Sequence, residues 1–418
     1  MQLSYVFKII SFLALATAST AAPTTTSTLL PPSKDPWYTA PDGFEHAAPG
    51  DVLRFRKAPG NLTTTTFGNA SCVYNILYRT TNARYHPSWA VTTLFVPKET
   101  NGSALLSYQI PYNSVDVDSS PSFTLHGPVS SLGLIQSDIQ TALSLGRYVS
   151  VPDFEGPTAS FFAGVQEGHA TIDNVRAVLN HGFGLKEDAR YAMWGYSGGS
   201  VATEWAAELQ VQYAPEMHFA GAAMGGVVSN VTSGLHAADG TRWAGLVPGG
   251  LLGITDQYPQ AREYLLSQLK TEGPYNKTGF LATEKLSIAD AFTLYFNQTV
   301  FNYFKNGKAV LISPLIQRAI NDQGYMGYHG VPIMPMLMYK AVADEITAIE
   351  DTDVMVDEYC KVGANIVYER NTIGGHLAEE TNGDQRALEW LTQVLSGTYH
   401  HKGCTVKNVA LNVTDSPL

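Results

Sequence analysis

Cysteine is scarce, with three residues in 418. That excludes a small scaffold built on disulfides and leaves room for one bridge with one thiol over. Charge is scarce too, at 15% of residues, and runs acidic, with a formal net charge of -11. Without basic clusters the chain offers neither nucleic acid nor an anionic membrane surface an electrostatic footprint. No apolar run reaches the roughly 20 residues that a membrane-spanning helix needs. There is no H-E-x-x-H, no C-x-x-C pair and no close set of His and Asp ligands, so no metal and no other cofactor is expected. The stretch "VPGGLLG" lacks the strand and the acidic partner of a nucleotide fingerprint.

What is abundant is apolar residues, 44% of the chain, enough for one large core with an insertion or for two domains. Residues 1–22 read as a secretory signal. Lys8 supplies the positive end, Ile9 to Ala16 the apolar stretch, and the small residues near Ala18 and Ala22 the cleavage sites. The Thr/Ser/Pro-rich leader from Thr24 to Ser33 reads as a flexible lead-in. Seven N-x-S/T sequons, at Asn61, Asn69, Asn101, Asn230, Asn276, Asn297 and Asn412, become glycan acceptors in a secretory path that glycosylates.

Along the chain, "VYNILYRTT" and "WAVTTLFVP" are β-branched, aromatic runs separated by "NARYHPS", a hairpin-like pair. "SALLSYQIP" reads as a buried strand. Then strands ("RYVSVPDFEGP", "RYAMWG", "FAGAAMGG") alternate with helices ("VQEGHATIDNVRAVLNHG", "SVATEWAAELQVQYAP"), the rhythm of a parallel sheet covered on both faces. The alternation breaks between Val227 and Arg318, which is helical and aromatic, and is read as an insertion. The aromatics from Phe292 to Phe304 are assigned to core. Alternation resumes with the strand "VPIMPMLMYKAVADE", the helix "TDVMVDEYCKVG", the strand "ANIVYERNTIGGH" and the helix "GDQRALEWLTQVL". The expected domains are core residues 23–226, a helical cap at 227–318 and core residues 319–418.

In "WGYSGGS", Ser197 stands between Gly195 and Gly199, after a strand and before a helix that starts near Gly198. A nucleophile on a sharp strand-to-helix turn needs neighbours without β-carbons. The helix N-terminus and the Gly198 backbone N–H then point at developing negative charge. A serine hydroxyl also needs a base. Functional side chains of parallel sheets gather past the carboxyl ends of strands, which selects His376 in "NTIGGH" as the base and Asp344 in "VADEI" as the acid that orients it. Glu345, Asp351 and Asp353 remain competing acids. His400 and His401 in the tail and His169 within a helix are read as surface or packing residues.

The stretches "SYQIPYNS", "FFAGVQEGHATIDNVRA", "WGYSGGS", "YAPE", "ADEI", "YCKVGANI" and "GGHLAEE" together resemble the fungal secretory lipase family over nearly the whole chain. The resemblance implies an α/β-hydrolase fold with an inserted helical cap, and Ser197, Asp344 and His376 as the triad. It also implies a Cys360–Cys404 disulfide that leaves Cys72 free. Three departures stand out. Asn113 replaces an aspartate of the oxyanion hole, so the backbone N–H groups of Asn113 and Gly198 are expected to form the hole, with the Asn113 side-chain amide an additional donor at every pH. Serine replaces a family cysteine near "DVDSSPSF". The chain also stops soon after Cys404, where lipases of this type can continue into a C-terminal flap.

The expected function is therefore a secreted serine carboxylic ester hydrolase, read first as a triacylglycerol lipase that meets a lipid interface transiently. The alternative is a carboxylesterase that deacetylates a small secondary metabolite.

Overall fold

The computed structural model describes residues 29–413; the signal read in residues 1–22 lies outside them. Three strands, β1 (Val52–Lys57), β2 (Ala70–Thr81) and β3 (Pro87–Pro97), form an antiparallel ribbon. Seven more follow: β4 (Ala104–Gln109), β5 (Tyr148–Pro152), β6 (Arg190–Tyr196), β7 (Gly221–Gly225), β8 (Met336–Ala341), β9 (Ile366–Asn371) and β10 (Cys404–Val409). The sheet order is β1-β2-β3-β5-β4-β6-β7-β8-β9-β10, and every pairing from β5 to β10 is parallel.

Successive side chains of a strand point to opposite faces, and the two apolar clusters obey this. Met193 joins one cluster with the helices Gly164–His181 and Gly198–Tyr213. Its neighbours Ala192 and Trp194 join the other, with Gly133–Ser144 and His376–Ser396. Between β7 and β8 the chain is helical, including Val231–Ala238, Leu246–Asp256, Pro259–Ser267, Ile288–Leu294 and Pro314–Gly324. Nearly all of Leu246–Asp256 is buried, and it shares the first cluster with the sheet. In the aromatic run, Tyr295, Phe301 and Phe304 are core, while Phe296 is exposed.

Three elements differ from the sequence reading. β1 and β10 were not foreseen: "VLRFRK" alternates in charge, and β10 is exposed almost throughout on the sheet edge, so neither carries the apolar signature of a buried strand. The last helix starts at His376 itself. The end of the expected flexible leader is pinned, because the Ser33 N–H and hydroxyl both donate to the Asp118 carboxylate at 2.7 Å. His169 lies fully buried, stacked on Tyr213 with centroids 3.9 Å apart. Among the sequons, Asn61, Asn69, Asn101 and Asn297 are exposed, and Asn230, Asn276 and Asn412 are half-buried.

The structure joins Cys360, at the end of the helix Ile349–Lys361, to Cys404 at the start of β10, and leaves Cys72 a half-buried thiol. The bridge fixes an edge strand that buries little of its own surface. Cys404→Ser is expected to lower unfolding stability by about 2–4 kcal/mol, measured by urea or thermal unfolding. A loss no larger than that of Cys72→Ser contradicts this.

Candidate active site

Ser197 links β6 to the helix Gly198–Tyr213 at φ 52° and ψ -121°, a conformation costly for a residue with a β-carbon. Two backbone approaches and one side-chain approach enforce it. A β-carbon at Gly199 would lie 1.9 Å from the Gln109 carbonyl oxygen at the end of β4, and one at Gly195 would lie 2.1 Å from the Gly199 carbonyl oxygen. One at Gly198 would lie 1.7 Å from Asn113 Oδ1. Only glycine permits such closeness, so strand, turn and helix can meet and lift the Ser197 side chain to the sheet's carboxyl edge.

There Ser197 Oγ lies 2.8 Å from His376 Nε2, and His376 Nδ1 lies 2.8 Å from Asp344 Oδ2. His376 is 2% exposed. The Tyr196 hydroxyl donates to the His376 carbonyl at 2.5 Å. Asp344 sits in the turn after β8, its side chain wholly buried, and its Oδ1 accepts from the Ile346 and Thr347 backbone N–H groups at 2.9 and 3.0 Å. Burial pushes the Asp344 carboxyl up, but the hydrogen bond with His376, the nearby Lys340 ammonium and the Thr347 N–H outweigh it and hold the pKa down at about 2. Asp344 is thus an ionised acceptor held against the imidazole ring.

The competing acids are engaged elsewhere. Asp351 accepts from Asn230 Nδ2 at 3.2 Å and Asp353 from Arg370 at 2.9 Å. Glu345 holds the backbone: its Oε2 accepts from the His376 N–H at 2.7 Å, while its Oε1 accepts from Arg242 at 2.9 Å, in the segment between β7 and β8. Arg242, Lys340 and the contact of Glu345 with the His376 backbone escaped the sequence reading, which had weighed Glu345 only as a competing acid. Only Lys340 left a visible signal, a lone cation inside the apolar strand "MLMYKA".

Across from Gly198, Asn113 also has a positive φ, 47°, and its Oδ1 is buried without a hydrogen-bond partner. The N–H groups of a helix's first turn have no acceptor within the helix, so the start of Gly198–Tyr213 presents donors beside Ser197. Beneath the Asn113 loop lies Glu155. Burial and the neighbouring Glu167 push its carboxyl well above the usual range, against the Ser114 and Asn113 backbone N–H groups, which stabilise its ionised form. A hydroxyl hydrogen-bonded to an imidazole, an oriented imidazole and a row of N–H donors together suit acyl transfer through a serine ester.

The family model described as "Secretory lipase" matches residues 130–403. The chain is 48% identical to trichothecene C-3 esterase of Fusarium sporotrichioides, over 95% of this chain and 92% of that protein. It is 42% identical to a probable trichothecene esterase of Stachybotrys chartarum, over 92% and 81%. The solved structure of Candida antarctica lipase A in its closed state superposes with a TM-score of 0.84 at 27% identity, covering 93% of this chain and 92% of that one. The sheet order and flanking helices are accordingly those of the α/β-hydrolase fold.

Two outcomes follow from this geometry. Gly199→Ala forces a β-carbon into a main-chain oxygen and should cost at least about 2 kcal/mol of stability, seen as a lowered unfolding midpoint; an unchanged midpoint contradicts the packing described. Because the Asp344 pKa is depressed, the stability that this group contributes is complete above about pH 4 and is lost as pH falls through about 2. The stability gap between wild type and Asp344→Asn should therefore be widest near neutrality and narrow below about pH 4; urea titrations showing a constant gap contradict it.

Proposed function

The chain belongs to the secretory lipase family and is an ester hydrolase, and from that premise we propose that it removes a short acyl group from a small trichothecene-type metabolite. The observation that carries this is the pair of trichothecene esterases, 48% and 42% identical over almost the whole chain, against 27% for the lipase whose structure it shares. A second reading, triacylglycerol hydrolysis, draws support from that shared structure and from the apolar helices between β7 and β8, which can bury acyl chains.

In either reading the proposed chemistry is the same. Ser197 Oγ attacks the ester carbonyl carbon as its proton passes to His376 Nε2, and Asp344 stabilises the imidazolium. The tetrahedral oxyanion is held by the Gly198 N–H and by Asn113. The side-chain amide of Asn113 can add to its backbone N–H, and it donates whatever the pH. The C–O bond breaks, the alcohol leaves with the proton from His376, and water attacks the acyl-enzyme by the reverse route. A helical cap over residues 227–318 belongs to this reading, with its second boundary moved past the helix Pro314–Gly324, which runs continuously across residue 318. Export after removal of the leader, with glycans on the exposed sequons, belongs to the same reading.

Initial rates on an acetylated trichothecene, on p-nitrophenyl esters of rising acyl length and on emulsified triglyceride, with Ser197→Ala as the blank, separate the readings. The proposal expects the short acyl ester of the small metabolite to dominate; a faster rate on emulsified long-chain triglyceride overturns it in favour of the lipase. Asn113→Ala should lower kcat about 100-fold with a smaller change in KM. Unchanged kcat in Asn113→Ala removes the amide from the oxyanion site.

A further inference from the structure

Lys340 lies on β8 with its side chain wholly buried. Its Nζ donates to the Val227 carbonyl at 2.7 Å and lies 3.4 Å from Thr347 Oγ1 and 3.4 Å from Asp344 Oδ2. An ammonium has three N–H donors and no lone pair, whereas a neutral amine would turn a lone pair toward one of these oxygens. A carbonyl and a carboxylate can only accept, and the Thr347 hydroxyl can accept as well, so the surroundings are built for the cation. Burial pulls the Lys340 pKa down, and the charges of Asp344, Asp351 and Asp353 oppose that pull. Burying a charge is costly unless it is paired, and its nearest anion is Asp344, the carboxylate that also contacts His376.

We propose that Lys340 is a positioning residue of the ester-cleaving reaction. Its ammonium shares the Asp344 carboxylate with His376, limits how far that carboxylate favours the imidazolium, and so keeps Nε2 available as a base in more acidic solution. By bonding the Val227 carbonyl, the same ammonium ties the exit of β7 to the turn that carries Asp344. The proposal rests on the reading of Ser197, His376 and Asp344 as the reacting set. Other charged and titratable groups also lie around His376. These are Glu345 at its backbone N–H with Arg242 behind, Tyr196 at its carbonyl, and Glu379 and Glu380 on its own helix.

The test follows the rate of Ser197 labelling by a fluorophosphonate against pH in the full-length protein, for wild type, Lys340→Met and Lys340→Gln. The probe reads activation of the serine without acyl-chain binding. In whichever neutral variant folds, as judged by a cooperative unfolding transition, the acid limb should move to higher pH by about half a unit or more, while the alkaline plateau changes by less than about tenfold. An acid limb coincident with wild type, a shift toward lower pH, or failure of both variants to fold overturns the proposal, the last because it assigns Lys340 to the fold alone. Absence of labelling in wild type strikes instead at the catalytic reading of Ser197.

Discussion

A single strained residue sets the terms for the rest of the molecule. Ser197 occupies φ 52° and ψ -121°, a state that costs on the order of 1–3 kcal/mol and persists only where the surroundings over-determine it. The surroundings do so largely with main chain: β4, β6 and the following helix approach within distances that no β-carbon survives. Side chains can repack, whereas main chain already bonded into a sheet and a helix cannot. Three further non-glycine residues with positive φ follow the carboxyl ends of neighbouring strands, Asn113 after β4 and Ala159 and Phe162 in the loop after β5. Backbone strain is therefore found beside the Ser197–His376 contact.

Around that fixed point the acids divide their work by position. Asp344 addresses the imidazole ring and Glu345, next in sequence, addresses the His376 backbone. Turn geometry explains the division: Asp344 folds its carboxylate back over the Ile346 and Thr347 N–H groups, which leaves its neighbour pointing outward to Arg242. The position of His376 thus depends on both the core and the segment between β7 and β8.

Much of this was readable from the chain. The β2–β3 pair announced itself through β-branched alternation, and the approach of Ser197, His376 and Asp344 through their places just past strand ends. What could not be read shares one cause. β1 and β10 gain their strand character from pairing at sheet edges, not from their own composition. Glu345 and Arg242 acquire meaning only through a contact 103 residues apart in sequence. Lys340 was visible as an anomaly, but its partners, the Val227 carbonyl and the Asp344 carboxylate, are brought to it by the crossover between β7 and β8.

The buried helix Leu246–Asp256 carries a last implication. Because its apolar side chains belong to the same cluster as the helices Gly164–His181 and Gly198–Tyr213, this segment is not a hinged module resting on a finished interior. Transplanting it whole between relatives would tear open the interior of the recipient. Divergence in what these proteins accept has to proceed by exchanging individual side chains along a continuous interior, each exchange answerable to the stability of the entire chain.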